Sequence, residues 1–180
     1  MPIDPRAFEL QPTLIGERLE LRPLKPADFE ALYAVASDPL IWEVHPEPNR
    51  YQREVFQEFF AEALKSKGAL GVFERRSGLM VGSSRYYDLD AEKGEILIGY
   101  TFLSRSLWGG SFNRELKALM LDHAFRFVNV VVFHVGENNI RSRKAMEKIG
   151  GILCGVLVKT SPEGRSRRNV VYRIEKGVSI

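Results

Sequence analysis

The sequence predicts an α+β domain on a mixed sheet, in the order β-α-α-β-β-β-α-β-α-β-β, not a doubly wound one. Three observations carry this. After Gly68 the hydrophobic period changes from helical to alternating, and three strand-like segments follow with no helix between them. Further on, Asn129–Val135 is a dense β-branched run between two helical segments, the texture of a strand covered on both faces. The chain then finishes on two strand-like segments around Ser161-Pro162-Glu163-Gly164, a hairpin turn.

Element by element, Leu14 to Leu24 is a strand in which Leu19 and Leu21 alternate with Glu20 and Arg22. Lys25-Pro26-Ala27-Asp28 is an acidic, proline-bearing helix start for Phe29, Leu32, Tyr33 and Ala36, and Asp38-Pro39 closes that helix. A loop rich in proline and aromatics occupies residues 42–49. From Gln52 to Lys65, Val55, Phe56, Phe59, Phe60, Ala63 and Leu64 form one stripe of a second helix. Ala69–Arg75, Leu79–Tyr87 and Glu95–Leu103 are the three consecutive strands. A loop over 104–111 opens a helix from Phe112 to about Phe127, with Leu116, Leu119, Met120, His123 and Phe127 on one side. After the buried strand, Asn139–Ile149 is a helix closed by Gly150-Gly151. Ile152–Thr160 and Arg168–Glu175 complete the hairpin.

Composition sets the outer limits. With 180 residues and 44% hydrophobic content, residues 1–180 are read as one globular domain with a sizeable core, its body spanning about 16–175. Cys154, the single cysteine, excludes an intramolecular disulfide and a structural zinc site; it is read as a core residue in a reducing compartment. The longest apolar run, Phe127–Val135, is far short of the roughly 20 residues that span a bilayer, and MPIDPRAFEL carries acids and prolines where a signal peptide needs an apolar stretch. A cytoplasmic protein without a membrane partner is therefore expected.

The net charge of +3 is unevenly placed. Residues 1–104 carry 12 basic and 17 acidic groups, a balance of −5; residues 105–180 carry 14 and 6, a balance of +8. An imbalance of this kind raises the question of which anion the second part binds. The basic segments lack interleaved aromatics, so nucleic acid is not an expected partner. Arg165, Arg167 and Arg168, around the last hairpin turn, read as a solubilising loop, as attraction for an acidic acceptor, or as a dimer edge.

The most informative stretch is Ser106-Leu107-Trp108-Gly109-Gly110-Ser111-Phe112-Asn113-Arg114-Glu115, a small-residue loop that leaves a strand and opens a helix. The first N–H groups of a helix lack internal partners and sit at the positive end of its dipole, which suits phosphate oxygens. Glycines admit close approach, while Arg114 and Lys117 add charge. The loop is neither a Walker A sequence nor a dinucleotide Gly-x-Gly-x-x-Gly; read locally, it is a tight turn with a Ser N-cap. About 28 residues later, Glu137-Asn138-Asn139-Ile140-Arg141-Ser142 sets an Asn and a Ser at the mouth of a helix that ends in Lys148-Ile149-Gly150.

Together these resemble the GCN5-related N-acetyltransferase (GNAT) family, in which a phosphate loop follows the fourth strand and Asn-x-x-Ser follows the fifth. Ile98-Gly99-Tyr100, Asn113-Arg114-Glu115-Leu116-Lys117, His123-Ala124-Phe125 and Glu163-Gly164-Arg165 with Val171-Tyr172 resemble its RimJ/RimL-like branch of ribosomal-protein N-terminal acetyltransferases. The resemblance implies a mostly antiparallel sheet with splayed central strands flanked by helices, acetyl-CoA as co-substrate and an amine as acceptor, either a protein N-terminus or a small amine. It implies direct attack in a ternary complex. It places the donor on Tyr100, Thr101, Phe102 and Leu103, on the loop positions Trp108, Gly109, Gly110, Ser111, Phe112 and Asn113, on Arg114, and on Asn139 and Ser142. Ser111 departs from the family's glycine.

For the chemistry, many family members carry a tyrosine acid where this chain has Met146, and the resemblance then leaves Ser142 to protonate the departing thiolate. Read locally, Asn139 is an N-cap and Ser142 a first-turn hydroxyl. Leu97 stands where the branch often has Glu, so Glu95, two residues earlier on the same strand face, is one candidate base. His45 is the other, since an imidazole near its ordinary pKa suits proton removal and the 42–49 loop resembles the acceptor wall. A water chain with no single base is the third route. Trp42 and His45 are the expected acceptor contacts, and His123 and His134 are read as structural. The rival reading from a different class is a CoA-binding module without turnover.

Overall fold

The computed structural model describes residues 4–178. The elements are β1 (Leu14–Ile15), β2 (Leu19–Pro23), α1 (Phe29–Ala36), α2 (Arg53–Lys65), β3 (Ala69–Glu74), β4 (Met80–Asp90), β5 (Glu95–Leu103), α3 (Phe112–Ala124), β6 (Val130–Gly136), α4 (Ile140–Lys148), β7 (Ile152–Thr160) and β8 (Ser166–Glu175). They build one eight-stranded sheet in the order β1-β2-β3-β4-β5-β6-β8-β7. Every neighbouring pair is antiparallel except β5 and β6. The expected α+β order with a mixed, mostly antiparallel sheet is what forms.

The first strand breaks in two where the sequence suggested continuity. The Glu115 carboxylate of α3 accepts from the N–H groups of Arg18 and Leu19, at 2.8 and 3.1 Å, and draws the chain into a turn at Gly16–Arg18. A Cβ at Gly16 would lie 2.3 Å from a Glu115 oxygen, so only glycine admits this approach. A long-range contact thus overrides local alternation.

Apolar side chains pack on both faces of the sheet. One cluster joins Leu19, Leu21, Leu70, Val72, Tyr86, Ile96 and Ile98 to Leu116 and Met120 of α3 and Met146 of α4. The other joins Leu32 and Ala36 of α1, Phe56, Phe59 and Phe60 of α2, Trp42 and Phe102. Central β6 is buried on both faces over Val131–Phe133, as its β-branched texture predicts.

The far edge behaves otherwise. β7 is exposed along its whole length, although Ile152, Leu153, Val156 and Val158 are apolar. Cys154 is therefore exposed, not in the core as expected: the strand is an outer edge covered by neither helical layer, and its alternation could not show that. Among the described residues, no helix is long and apolar enough to cross a membrane.

Candidate active site

β5 and β6 pair in parallel only at Glu95–Leu97 against Val130–Val132. Beyond that both strands continue, to Leu103 and Gly136, but no longer bond each other, while their outer edges stay paired to β4 and β8. The inner backbone groups of both strands thus line a wedge-shaped gap in the middle of the sheet. Such unpaired backbone is a ready site for an extended ligand.

A β-bulge shapes the β5 wall of the gap. Ser83 pairs with Phe102 and Arg85 with Gly99, so Ser84 is opposed by both Tyr100 and Thr101. Tyr100 takes φ +54°, costly for a bulky residue, and is 43% exposed. The extra residue reverses the alternation. Ile96 and Ile98 face α3 before it, and Thr101 and Leu103 face α3 after it; Tyr100 and Phe102 face α2. Beneath the bulge, the Thr101 hydroxyl pairs with the Ser84 hydroxyl at 2.8 Å and accepts from Lys117 Nζ at 2.7 Å.

At the wide end of the gap lies the loop before α3. Gly109 has φ +72°, and a side chain there would be strained whatever the space. Among the described residues, the N–H groups of Gly109, Gly110, Ser111, Phe112, Asn113 and Arg114 have no acceptor in the chain; the first inward bond is Glu115 N–H to Ser111 O, at 3.0 Å. That row of free donors at a helix start fits a pyrophosphate. The Ser111 hydroxyl accepts from Arg18 at 2.6 Å, and the same guanidinium pairs with Glu115 at 3.1 Å. The departure from glycine at Ser111 is therefore tied into a brace that holds the loop. Glu115 is partly buried, which favours its neutral form, but the two backbone N–H groups and the guanidinium outweigh burial and lower its pKa.

The start of α4 faces this loop. Asn139, 5% exposed, caps the helix by accepting from Ser142 N–H at 3.2 Å. The local reading of Asn139 is thus realised, and its carbonyl oxygen is committed to the cap. The Ser142 hydroxyl is half-buried and makes no hydrogen bond among the described residues. Arg141 lies 3.7 Å over the Trp108 ring, whose indole N–H donates to Leu103 O at 3.1 Å. These contacts bridge the loop to the end of β5 and to α4.

Three expected residues lie elsewhere or differ in character. Glu95 sits at the closed end of the gap, paired to Arg173, five residues before the bulge and so about 16 Å from it at strand rise. It does not face the reacting region. His45 accepts from Glu47 N–H through Nδ1 at 2.9 Å and packs edge-on to Trp42. Burial foremost, with the charge of Arg50 adding, pushes its pKa down to about 3, which removes the near-neutral basicity that recommended it. Trp42 is 1% exposed, with its indole N–H donated to Ala36 O at 2.8 Å. It is core, beyond a substrate's reach, because Phe56 and Phe102 close over it.

The acidic excess of residues 1–104 does not converge on this wall. Arg85 and Arg50 stand there instead, neither of them singled out from the sequence. Arg85 had a signal: it is a charge inside a strand stretch, Met80–Tyr86, whose residues are all buried. Arg50, in a loop, had none. Lys117, expected to add charge to the loop, is instead 3% exposed and donates to Thr101, because it sits three residues before Met120 on the apolar stripe of α3.

The comparisons with known proteins agree with the fold. The family model described as "Acetyltransferase (GNAT) domain" matches residues 18–152. A GCN5-related N-acetyltransferase from Brucella melitensis is similar with a TM-score of 0.80 at 20% identity, over 92% of this chain and 79% of that one. A GNAT-family acetyltransferase from Bacillus anthracis gives 0.75 at 21%, over 91% and 98%. RimJ from Mycobacterium smegmatis, solved in complex with CoA-disulfide, gives 0.73 at 18%, over 92% and 88%.

Proposed function

Because the chain belongs to the acetyltransferase (GNAT) family, we propose that it transfers an acetyl group from acetyl-CoA to a primary amine by direct attack in a ternary complex. The observation that carries this reading is the row of free N–H groups from Gly109 to Arg114 at the wide end of the β5–β6 gap. The row would hold the pyrophosphate, with exposed Arg114 adding charge. The unpaired backbone of Tyr100–Leu103 would take up an extended thiol arm, and Trp108 would border it. Acetyl-CoA supplies the activated acetyl group. The acid for the departing thiolate is assigned to the Ser142 hydroxyl, in the first turn of α4 behind the Asn139 cap. With Glu95 and His45 set aside, proton removal from the amine falls to water at the mouth of the gap. The RimJ/RimL-like branch rests on the motif resemblances, with RimJ from Mycobacterium smegmatis among the similar structures, and the cytoplasm on the single cysteine. The exposed apolar residues of β7 support a homodimer, testable by sedimentation at two concentrations.

A CoA-binding module without turnover is the second reading, favoured by the lack of a positioned base among the described residues. Calorimetry with acetyl-CoA and CoA decides the first step: no binding at about ten to a hundred micromolar rejects both readings. Binding without thiol release across a broad amine and peptide panel selects the module.

A further inference from the structure

On the face of the sheet toward α2, two arginines meet beside the bulge without an anion between them. Arg85 of β4 is 6% exposed; its guanidinium lies 3.9 Å over the Tyr100 ring and 5.6 Å from the Phe59 ring. Its Nε is buried and has no hydrogen-bond partner among the described residues. Arg50 lies 4.4 Å over the same Phe59 ring and 5.2 Å over Trp42, and its side chain makes no described hydrogen bond or ion pair. The acids nearby are otherwise engaged or distant: Glu47 is paired to Arg167, and exposed Glu62 acts on Arg85 only through its field.

Burial lowers the pKa of both groups, Arg50 to about 10, and the two charges oppose each other. Both remain cations at neutral pH. Stacking on aromatic rings offsets part of the desolvation but leaves the N–H donors unanswered. Buried cations are ordinarily matched by an anion, and a guanidinium fork fits a carboxylate in particular. Here the unanswered donors border Tyr100, at the point where β5 leaves β6.

We propose that Arg85 and Arg50 bind a carboxylate on the acceptor, so that the substrate is a primary amine carrying a carboxylate a few bonds away. This rests on the acetyltransferase reading and narrows it. It reverses the cationic acceptor suggested by the charge of residues 1–104. Two sources supply such a group: a free amino acid, or a peptide with an acidic residue at its N-terminus.

The test measures thiol release from acetyl-CoA with the common amino acids, their carboxamides, and peptides beginning with acidic or with lysine residues. A kcat/KM at least about tenfold higher for acid than for carboxamide is expected, carried by KM, and that discrimination collapses in Arg85→Met. Amino acids or acidic peptides, whichever are preferred, identify the source. Equal turnover of acids and carboxamides overturns the proposal and leaves acetyl transfer standing. Loss of acetyl-CoA affinity in Arg85→Met also overturns it, by assigning the arginines to the donor. Independently of turnover or of how the variant folds, wild-type protein with CoA should bind N-acetyl amino acids and not their carboxamides. Indifference between the two in calorimetry overturns the proposal even if no amine reacts.

Discussion

Lys117 offers a quantitative test of how the floor of the gap is built. It is 3% exposed in the second turn of α3, its Nζ donates to Thr101 and lies 5.4 Å from the Phe133 ring, and no carboxylate among the described residues pairs with it. Burial pushes its pKa from 10.5 down to about 7. Between these values the unfolded chain holds a proton on Lys117 that the folded chain releases. Stability must therefore rise with pH across that window and be flat in this term below about pH 7, where both states are protonated. Linkage over about 3.5 pH units at 1.36 kcal/mol each puts the penalty at pH 7 near 4 kcal/mol, and below about 1 kcal/mol by pH 10. Lys117→Met keeps an unbranched chain of similar length and removes the ionisable group. Urea unfolding of both proteins from pH 7 to 10 should show the variant's advantage shrinking by about 3 kcal/mol, on top of a constant offset from repacking and the lost Thr101 bond. Parallel stability curves would refute the reasoning, because they would mean that Lys117 is charged in the fold and its charge is matched.

Three further outcomes follow from the contacts around the gap. Ser142→Ala should lower kcat by about tenfold to a hundredfold with acetyl-CoA affinity nearly kept, since only the departing thiolate loses its donor; unchanged turnover removes Ser142 from the chemistry. Glu115→Ala strands the Arg18 and Leu19 N–H groups and frees Arg18 from the loop, so urea denaturation should show a loss of about 2–3 kcal/mol together with weaker CoA binding. The Glu115 contribution is present above the ordinary carboxylate pKa and fades as pH falls through its lowered folded value, so the gap between wild type and variant should narrow in acid. For His45, held neutral far below pH 6.5, the rate profile between pH 5 and 8 should keep its shape in His45→Asn; loss of a limb there would restore it as the base.

Much of the architecture was legible because it follows from local periods. The helical stripe of α2, the β-branched texture of β6 and the small-residue loop before α3 each depend on a few neighbouring residues, and each formed where the pattern put it. Gly109 illustrates why: its positive φ is a local demand, readable from residue type and position. Cys154 shows the opposite case. Whether an alternating strand lies inside or at an edge depends on what packs on it from elsewhere in the chain.

The candidate site divides along the same line. Order and spacing pointed to the α+β fold and to a phosphate-type loop before α3, and the resemblance of their motifs pointed to an acetyltransferase; phosphate binding at a helix start uses backbone groups and needs little from distant side chains. Only the tertiary structure decided the acceptor wall. There, Glu95 is carried to the closed end of the gap by strand pairing, Trp42 is sealed by Phe56 and Phe102, and His45 is stripped of its basicity by burial. Arg50 and Arg85, 35 positions apart in sequence, are brought to one phenylalanine ring. Charge summed along a chain says how much of each sign is present. Which charges meet, and at what dielectric, is set by packing, and here packing brings two arginines from the acidic half of the sequence to one aromatic ring.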